Sequence, residues 1–424
     1  MVISRSPLEI VMLEQYYVRP VTIDRIRTSW IAPAIEQYVG WLAERRYSRT
    51  TVSRRIPLLV AFGEFAKTHG ATEVAQLADQ VDPFVQVWIS QHARGKRAAR
   101  ARKKIGEFAR NPIRQMLRLL AIAGYIDPGR PHKPANPFET QAPRFFLYLT
   151  EEKGLRPRSV YQYRFHLRQF AAYLTRIALT DLALLSPNVL SGFVADYGPR
   201  LAWPTLRNAC GALRVFLRYL YRERVLAKDL SCIVEFPQSY RLSGIPRSIG
   251  WEQVEQVLSG VDRRAPCGKR DYAMLLLLAT YGLRACEVAA LTLDDIDWRN
   301  DRLKIRERKA GNSTAYPLST VVGGAIVDYL KNGRPASKDR QLFLRALAPL
   351  VPISSAAVTC RAAYYIRKAG IEVPRPGSHT LRHSCVQRLV NANFSLKHIG
   401  DYIGHRNASS TRSRQTSLTR SPRP

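Results

Sequence analysis

At 424 residues the chain is too long for one apolar core, and 46% hydrophobic with 9% aromatic residues excludes a disordered protein. Lys and Arg outnumber Asp and Glu by 66 to 33, for a net charge of +33. A charge of that size, spread through segments with folded periodicity, calls for a polyanionic partner, and a nucleic acid is the default.

The apolar spacing predicts helices from Trp30 to Tyr125 in a first block, residues 1–127. Ile35, Tyr38, Val39 and Leu42 make one stripe, and Leu59, Phe62 and Phe65 another. Pro83 opens a third helix with Val87 and Trp88. A fourth carries Ile105, Phe108, Met116 and Leu119. Before it runs Arg94 to Lys104, whose helical spacing sets Lys96/Arg97, Arg100 and Lys103/Lys104 along one side. The run reads equally as a solvated face or as a phosphate contact.

Pro and Gly mark residues 128–143 as a linker, and a second helical block spans 144–236. Leu59 and Phe62 recur as Leu167 and Phe170, each pair preceded by a basic turn containing Ser or Thr, a weak repeat suggesting two related helical DNA-clamp modules. Ser186-Pro187 is a helix start. Farther on, Arg207, Arg214, Arg218, Arg222 and Arg224 stud a helix whose apolar side is Leu206, Leu213, Phe216, Leu217 and Leu220. That helix serves either solubility or DNA contact.

Residues 237–250 form a second linker. Beyond it, 251–411 begins with a helix at Trp251 to Leu258 and a buried helix from Asp271 to Tyr281, which Gly282 stops. Residues 296 to 318 alternate and turn at Asn300-Asp301 and Gly311-Asn312, predicting a small antiparallel sheet with Lys309 beside the second turn. Helices resume at Thr320 and continue through Ala356–Ala369 to a helix–turn–helix, His379 to His405. Residues 412–424 have no apolar face and are expected to be a disordered basic tail. The fold class is therefore mainly α: two helical modules, then a mostly helical domain holding a small antiparallel β-sheet.

Six widely spaced cysteines, without metal-ligand spacing, argue for a reducing compartment and against structural zinc. No signal-peptide pattern opens the chain, and its longest apolar run, Ala273 to Ala279, is too short to span a bilayer. A cytoplasmic protein without a membrane or small-molecule partner is expected.

Four features converge: Thr280-Tyr-Gly-Leu-Arg284-Ala-Cys-Glu287, the Lys309 hairpin, His379-Thr-Leu-Arg382-His383, and Ile403-Gly404-His405. In type and order they resemble the tyrosine recombinase (phage integrase) family. The resemblance covers about Arg247 to Thr411, and upstream it extends more loosely to a helical arm-and-clamp arrangement. It implies a catalytic domain at 251–411, a core-binding domain at 144–236, and assembly as a homo- or hetero-tetramer on DNA. It also implies that Arg284 and Arg382 clamp the scissile phosphate, as planar guanidinium forks suit phosphate oxygens. Lys309 would protonate the leaving 5′ oxygen, His379 would handle the nucleophile's proton, and His405 would hydrogen-bond the phosphate. No cofactor or metal is implied, and no carboxylate cluster is present. Glu287 and Asp294-Asp295 read as salt bridges supporting Arg284, and His383 as a group packed beneath the site.

The departure is at the end. In the family the nucleophilic tyrosine follows Gly-His by about nine residues; here that place is Arg414, and no tyrosine follows Tyr402. Tyr402 itself reads as helix interior. The break after Thr411 has the look of a frameshift or truncation. A chain that binds DNA but does not cleave it alone is expected. The alternatives are a non-catalytic DNA-binding regulator that occupies a recombination site, or a type IB topoisomerase-like enzyme.

Overall fold

The structure is a computed structural model that describes residues 13–93, 99–125, 136–237, 248–306 and 313–404. Residues 129–241 form one compact unit, and residues 1–128 with 242–424 form the other.

In the first stretch, α1 (Pro20–Arg27), α2 (Ala32–Glu44), α3 (Arg49–Thr68), α4 (Val81–His92) and α5 (Ala99–Ile122) enclose an apolar core. Ile35, Tyr38, Val39 and Leu42 are fully buried in it, as the stripe predicted. The third helix starts two residues earlier than expected, at Val81, because Pro83 fits the first turn, where no intrahelical N–H bond is lost. Phe108 lies on the outer side of α5 and not in the core, with 47% of its surface exposed.

The second unit contains α6 (Phe145–Glu151), α7 (Pro157–Arg176), α8 (Pro187–Tyr197) and α9 (Trp203–Arg222) around their own core. Ser186 caps α8 by accepting from the Val189 N–H at 3.5 Å, with Pro187 in its first turn. Leu213, Phe216, Leu217 and Leu220 are all buried along α9.

The last stretch begins with α10 (Trp251–Ser259), α11 (Pro266–Thr280) and α12 (Ala285–Ala290). Three short strands follow, β1 (Ile296–Asp297), β2 (Arg302–Ile305) and β3 (Thr314–Pro317), antiparallel in the order β1-β2-β3. Leu303 pairs with both Ile296 and Tyr316, so one face of the sheet joins the core. Four helices complete the chain: α13 (Thr320–Asn332), α14 (Ser355–Lys368), α15 (Ser378–Asn391) and α16 (Leu396–Ile403). Nearly all of α11 is buried, and its core-facing acid, Asp271, is neutralised by Arg270 and by Arg361 at 2.6 Å. Ser384 ties the entry of this stretch to α15: its hydroxyl accepts from the Ile249 N–H at 2.9 Å and donates to the Ile249 carbonyl at 2.7 Å.

Candidate phosphate-binding site

Two helices end in left-handed glycines on either side of the site. After α11, Gly282 has φ +58°, and after α16, Gly404 has φ +66°. A helix ends with unsatisfied carbonyls and partial negative charge, so a cation placed there is favourable. Arg382 uses this. Only 1% exposed, it lies in α15 and donates through Nη1 to the Gly282 carbonyl and through Nη2 to the Ile403 carbonyl at 2.7 Å. Arg284, two residues past Gly282, donates through Nη2 to the Gly404 carbonyl at 3.0 Å. Its Nη1 pairs with Glu287 at 2.6 Å, and Glu287 also accepts from the Arg284 N–H at 2.8 Å to start α12. The two guanidiniums thus meet on one turn from positions 98 residues apart in the sequence. Arg284 keeps 18% of its side chain exposed and is the more accessible of the pair.

His379 stands exposed in the first turn of α15, its ring 6.3 Å from that of half-buried His383. Lys309, His405 and Arg414 lie outside the described residues. Tyr402 is part of the scaffold: its hydroxyl donates to the Thr280 carbonyl at 3.4 Å, and its ring stands edge-on to Tyr316 at 4.9 Å. Cys385 donates to the same Thr280 carbonyl at 3.4 Å, and burial pushes its thiol up to about 11. Glu287 supports Arg284 as expected, but Asp294 and Asp295 do not, because they pair with Arg340 and Arg306. The carbonyls of Gly282, Ile403 and Gly404 were missed, since main-chain acceptors leave no mark in residue types. Glu287, three positions after Arg284, was the one readable sign, as a helix-start pattern.

Among the basic residues proposed for DNA, Arg100, Lys103 and Lys104 are exposed on α5, while Lys96 and Arg97 lie outside the described residues. Arg207 is exposed on α9, with its guanidinium 5.6 Å from the Phe236 ring centre. Arg214 and Arg218 have an internal duty that the spacing did not suggest. Arg214 donates to the Val234 carbonyl at 3.1 Å, and Arg218 to the Ser231 hydroxyl at 3.1 Å, holding segment 231–236 against α9. Among the described residues, no cluster of side chains suits a metal ion, and no helix is long and apolar enough to cross a membrane.

The architecture and the arginine pair define a mainly helical protein with a paired-cation site built on two helix ends. Residues 247–419 match the phage integrase family, and residues 142–224 match the phage integrase N-terminal SAM-like domain. A putative integrase/recombinase, y4rA, of Sinorhizobium fredii is 30% identical over 90% of this chain and 90% of its own length. The tyrosine recombinase XerC of Pelotomaculum thermopropionicum is 28% identical over 63% of this chain and 90% of its own. Lambda integrase, solved as a dimer bound to a COC′ core site, shares the fold with a TM-score of 0.54 at 14% identity, covering 74% of this chain and 89% of that one. The chain belongs to the phage integrase family, the tyrosine recombinases.

Proposed function

We propose that this chain binds duplex DNA at a specific site as a recombinase of a mobile element and holds one phosphate between Arg284 and Arg382. The reading is carried by the meeting of the two guanidiniums on the turn at Ile403-Gly404. In a strand transfer, a nucleophilic oxygen attacks phosphorus, the bond to the 5′ oxygen breaks, and negative charge grows on the non-bridging oxygens. Fixed cations lower that barrier. Arg284 and Arg382 supply the charge, Lys309 protonates the departing oxygen, His379 takes the nucleophile's proton, and His405 hydrogen-bonds the phosphate. The partner is double-stranded DNA, engaged by a homo- or hetero-tetramer in the cytoplasm.

Within these 424 residues no tyrosine follows Tyr402, and Arg414 stands where the family's nucleophile is expected. Guanidinium stays protonated and is not a nucleophile. This polypeptide therefore binds without cleaving unless another subunit supplies the tyrosine, which also favours a second reading, a regulator that occupies a recombination site. The test is a nicked suicide duplex carrying a site selected from random DNA by the protein itself, run on a denaturing gel. A retarded complex without a covalent band is expected. A covalent band from this chain alone would overturn the cleavage claim, and failure to select any site would overturn site-specific binding.

A further inference from the structure

The family's SAM-like match covers residues 142–224. From α2 onward, the described helices of residues 13–125 follow an order like that of the second unit. Helices α3 and α7 are both 20 residues long and lie 108 positions apart, from Arg49 to Pro157. Each is followed by a 3-10 turn, at Val74–Ala78 and Leu182–Leu184, and then by two further helices.

Helical modules can share such an order by chance, and left-handed residues commonly close helices, so what counts is that these fall at matching positions in the two modules. Arg46 and Gly154 precede the two long helices with φ +56° and +58°, and Gly70 and Ala178 follow them with φ +86° and +56°. Past the last helix of each module, Gly124 and Arg224 have φ +78° and +60°. The cores correspond as well. Phe62 meets Phe84 edge-on at 5.3 Å and 66°, and Phe170 meets Phe193 at 5.0 Å and 63°. Phe65 and Phe84 stand 5.4 Å apart, and Tyr173 and Phe193 5.5 Å.

The final helices align 100 positions apart. Ile113-Arg-Gln-Met-Leu-Arg-Leu-Leu120 matches Leu213-Arg-Val-Phe-Leu-Arg-Tyr-Leu220, which puts Arg114 and Arg118 in the places of Arg214 and Arg218. In α5, Arg114 and Arg118 are exposed, and with exposed Arg100, Lys103 and Lys104 they fall on one side of the helix, opposite buried Ala109, Ile113, Met116 and Leu120. From Arg100 to Arg118 the stripe runs about 27 Å at roughly 1.5 Å per residue. Residues 13–125 hold nineteen Lys and Arg against nine Asp and Glu, so the stripe lies in a strongly positive module.

We infer that residues 13–125 are a second copy of the SAM-like domain, and that the α5 stripe lies along the phosphates of a further stretch of duplex DNA. This rests on the proposed DNA binding and extends it to the first helical module.

The test uses the full chain and a mixed-sequence duplex of about 40 base pairs, long enough to extend beyond the stripe at roughly 3.4 Å per base pair. The variant carries Arg100→Gln, Lys103→Gln, Lys104→Gln, Arg114→Gln and Arg118→Gln together. Affinity is titrated against salt, and each lost phosphate contact should flatten the log–log slope by about 0.9, so a change of about 3 to 5 is expected. The variant Arg100→Lys/Arg114→Lys/Arg118→Lys should keep the original slope, because the charges remain. A steep parent slope with an unchanged glutamine variant overturns this inference alone, whereas a flat parent slope overturns DNA binding itself. A photo-crosslinking residue at exposed Asn111, on the same side of α5, should attach to the duplex. Attachment only to another protein copy would make the module an assembly surface and overturn the inference.

Discussion

Arg382 and Arg284 donate to the carbonyls of consecutive residues, Ile403 and Gly404, from α15 and from the start of α12. The two guanidiniums are therefore held by the same turn that closes α16. Their burial differs, and so do the expected effects of replacing them.

Arg382→Ala leaves the carbonyls of Gly282 and Ile403 without their charged donor inside the core. Charge-assisted hydrogen bonds contribute about 1.5–3 kcal/mol each, so a loss of about 3–5 kcal/mol is expected. Arg284→Ala, at a less deeply buried position, should cost less than half as much while lowering affinity for the selected duplex. Urea unfolding of both variants checks the order, and equal losses would contradict the burial argument.

Gly282→Ala should destabilise the same region by about 1–2 kcal/mol. A side chain is strained at φ +58°, and the added Cβ would lie 3.2 Å from the Cys385 sulfur. Gly324→Ala is the control, since its Cβ meets nothing within 4 Å and alanine favours a helix interior. A thermal melt in which both variants unfold with the parent would reject the claim.

Cys385 should resist thiol reagents at pH 8, where a thiol pushed up to about 11 is almost wholly protonated. Cys232, Cys267, Cys286 and Cys360 are exposed and free and should react first. Mass spectrometry of partially labelled protein gives the order; early labelling of Cys385 in the folded chain would show that α15 does not pack as described.

His166 lies buried in the second unit with Nδ1 3.4 Å from the Tyr197 hydroxyl, and burial lowers its pKa. The folded state then binds fewer protons than the unfolded state as pH falls. The neutral ring's contribution is full above the ordinary histidine value of about 6.5 and is lost as pH drops toward the lowered one. His166→Gln should lose less stability between pH 7.5 and 5.5 than the parent in denaturant melts, and an equal or larger loss would sink the assignment.

The helices were legible because their apolar residues recur at helical spacing, as at Ile35, Tyr38, Val39 and Leu42. The hairpin turn at Asn300-Asp301 was legible from its residue types, and Asp301 does adopt φ +47°. Arg284 and Arg382 could be picked out only through the surrounding motif. What no residue type announced was the main chain that receives them, or the internal work of Arg214 and Arg218. Both depend on a helix end or a returning segment brought close by tertiary packing. Asp294 and Asp295 were misassigned for the same reason, since Arg340 and Arg306 become their neighbours only once the chain has folded.

The burial of Arg382 separates two reasons for a residue to persist. A chain of this fold that does not process DNA still needs Arg382 to close the ends of α11 and α16. Finding that arginine in a related sequence is therefore evidence of a working fold and says little about a working enzyme. His379 is exposed in the first turn of α15 and not buried in that core, so under its proposed role, drift at that position is the better sign that chemistry has been abandoned.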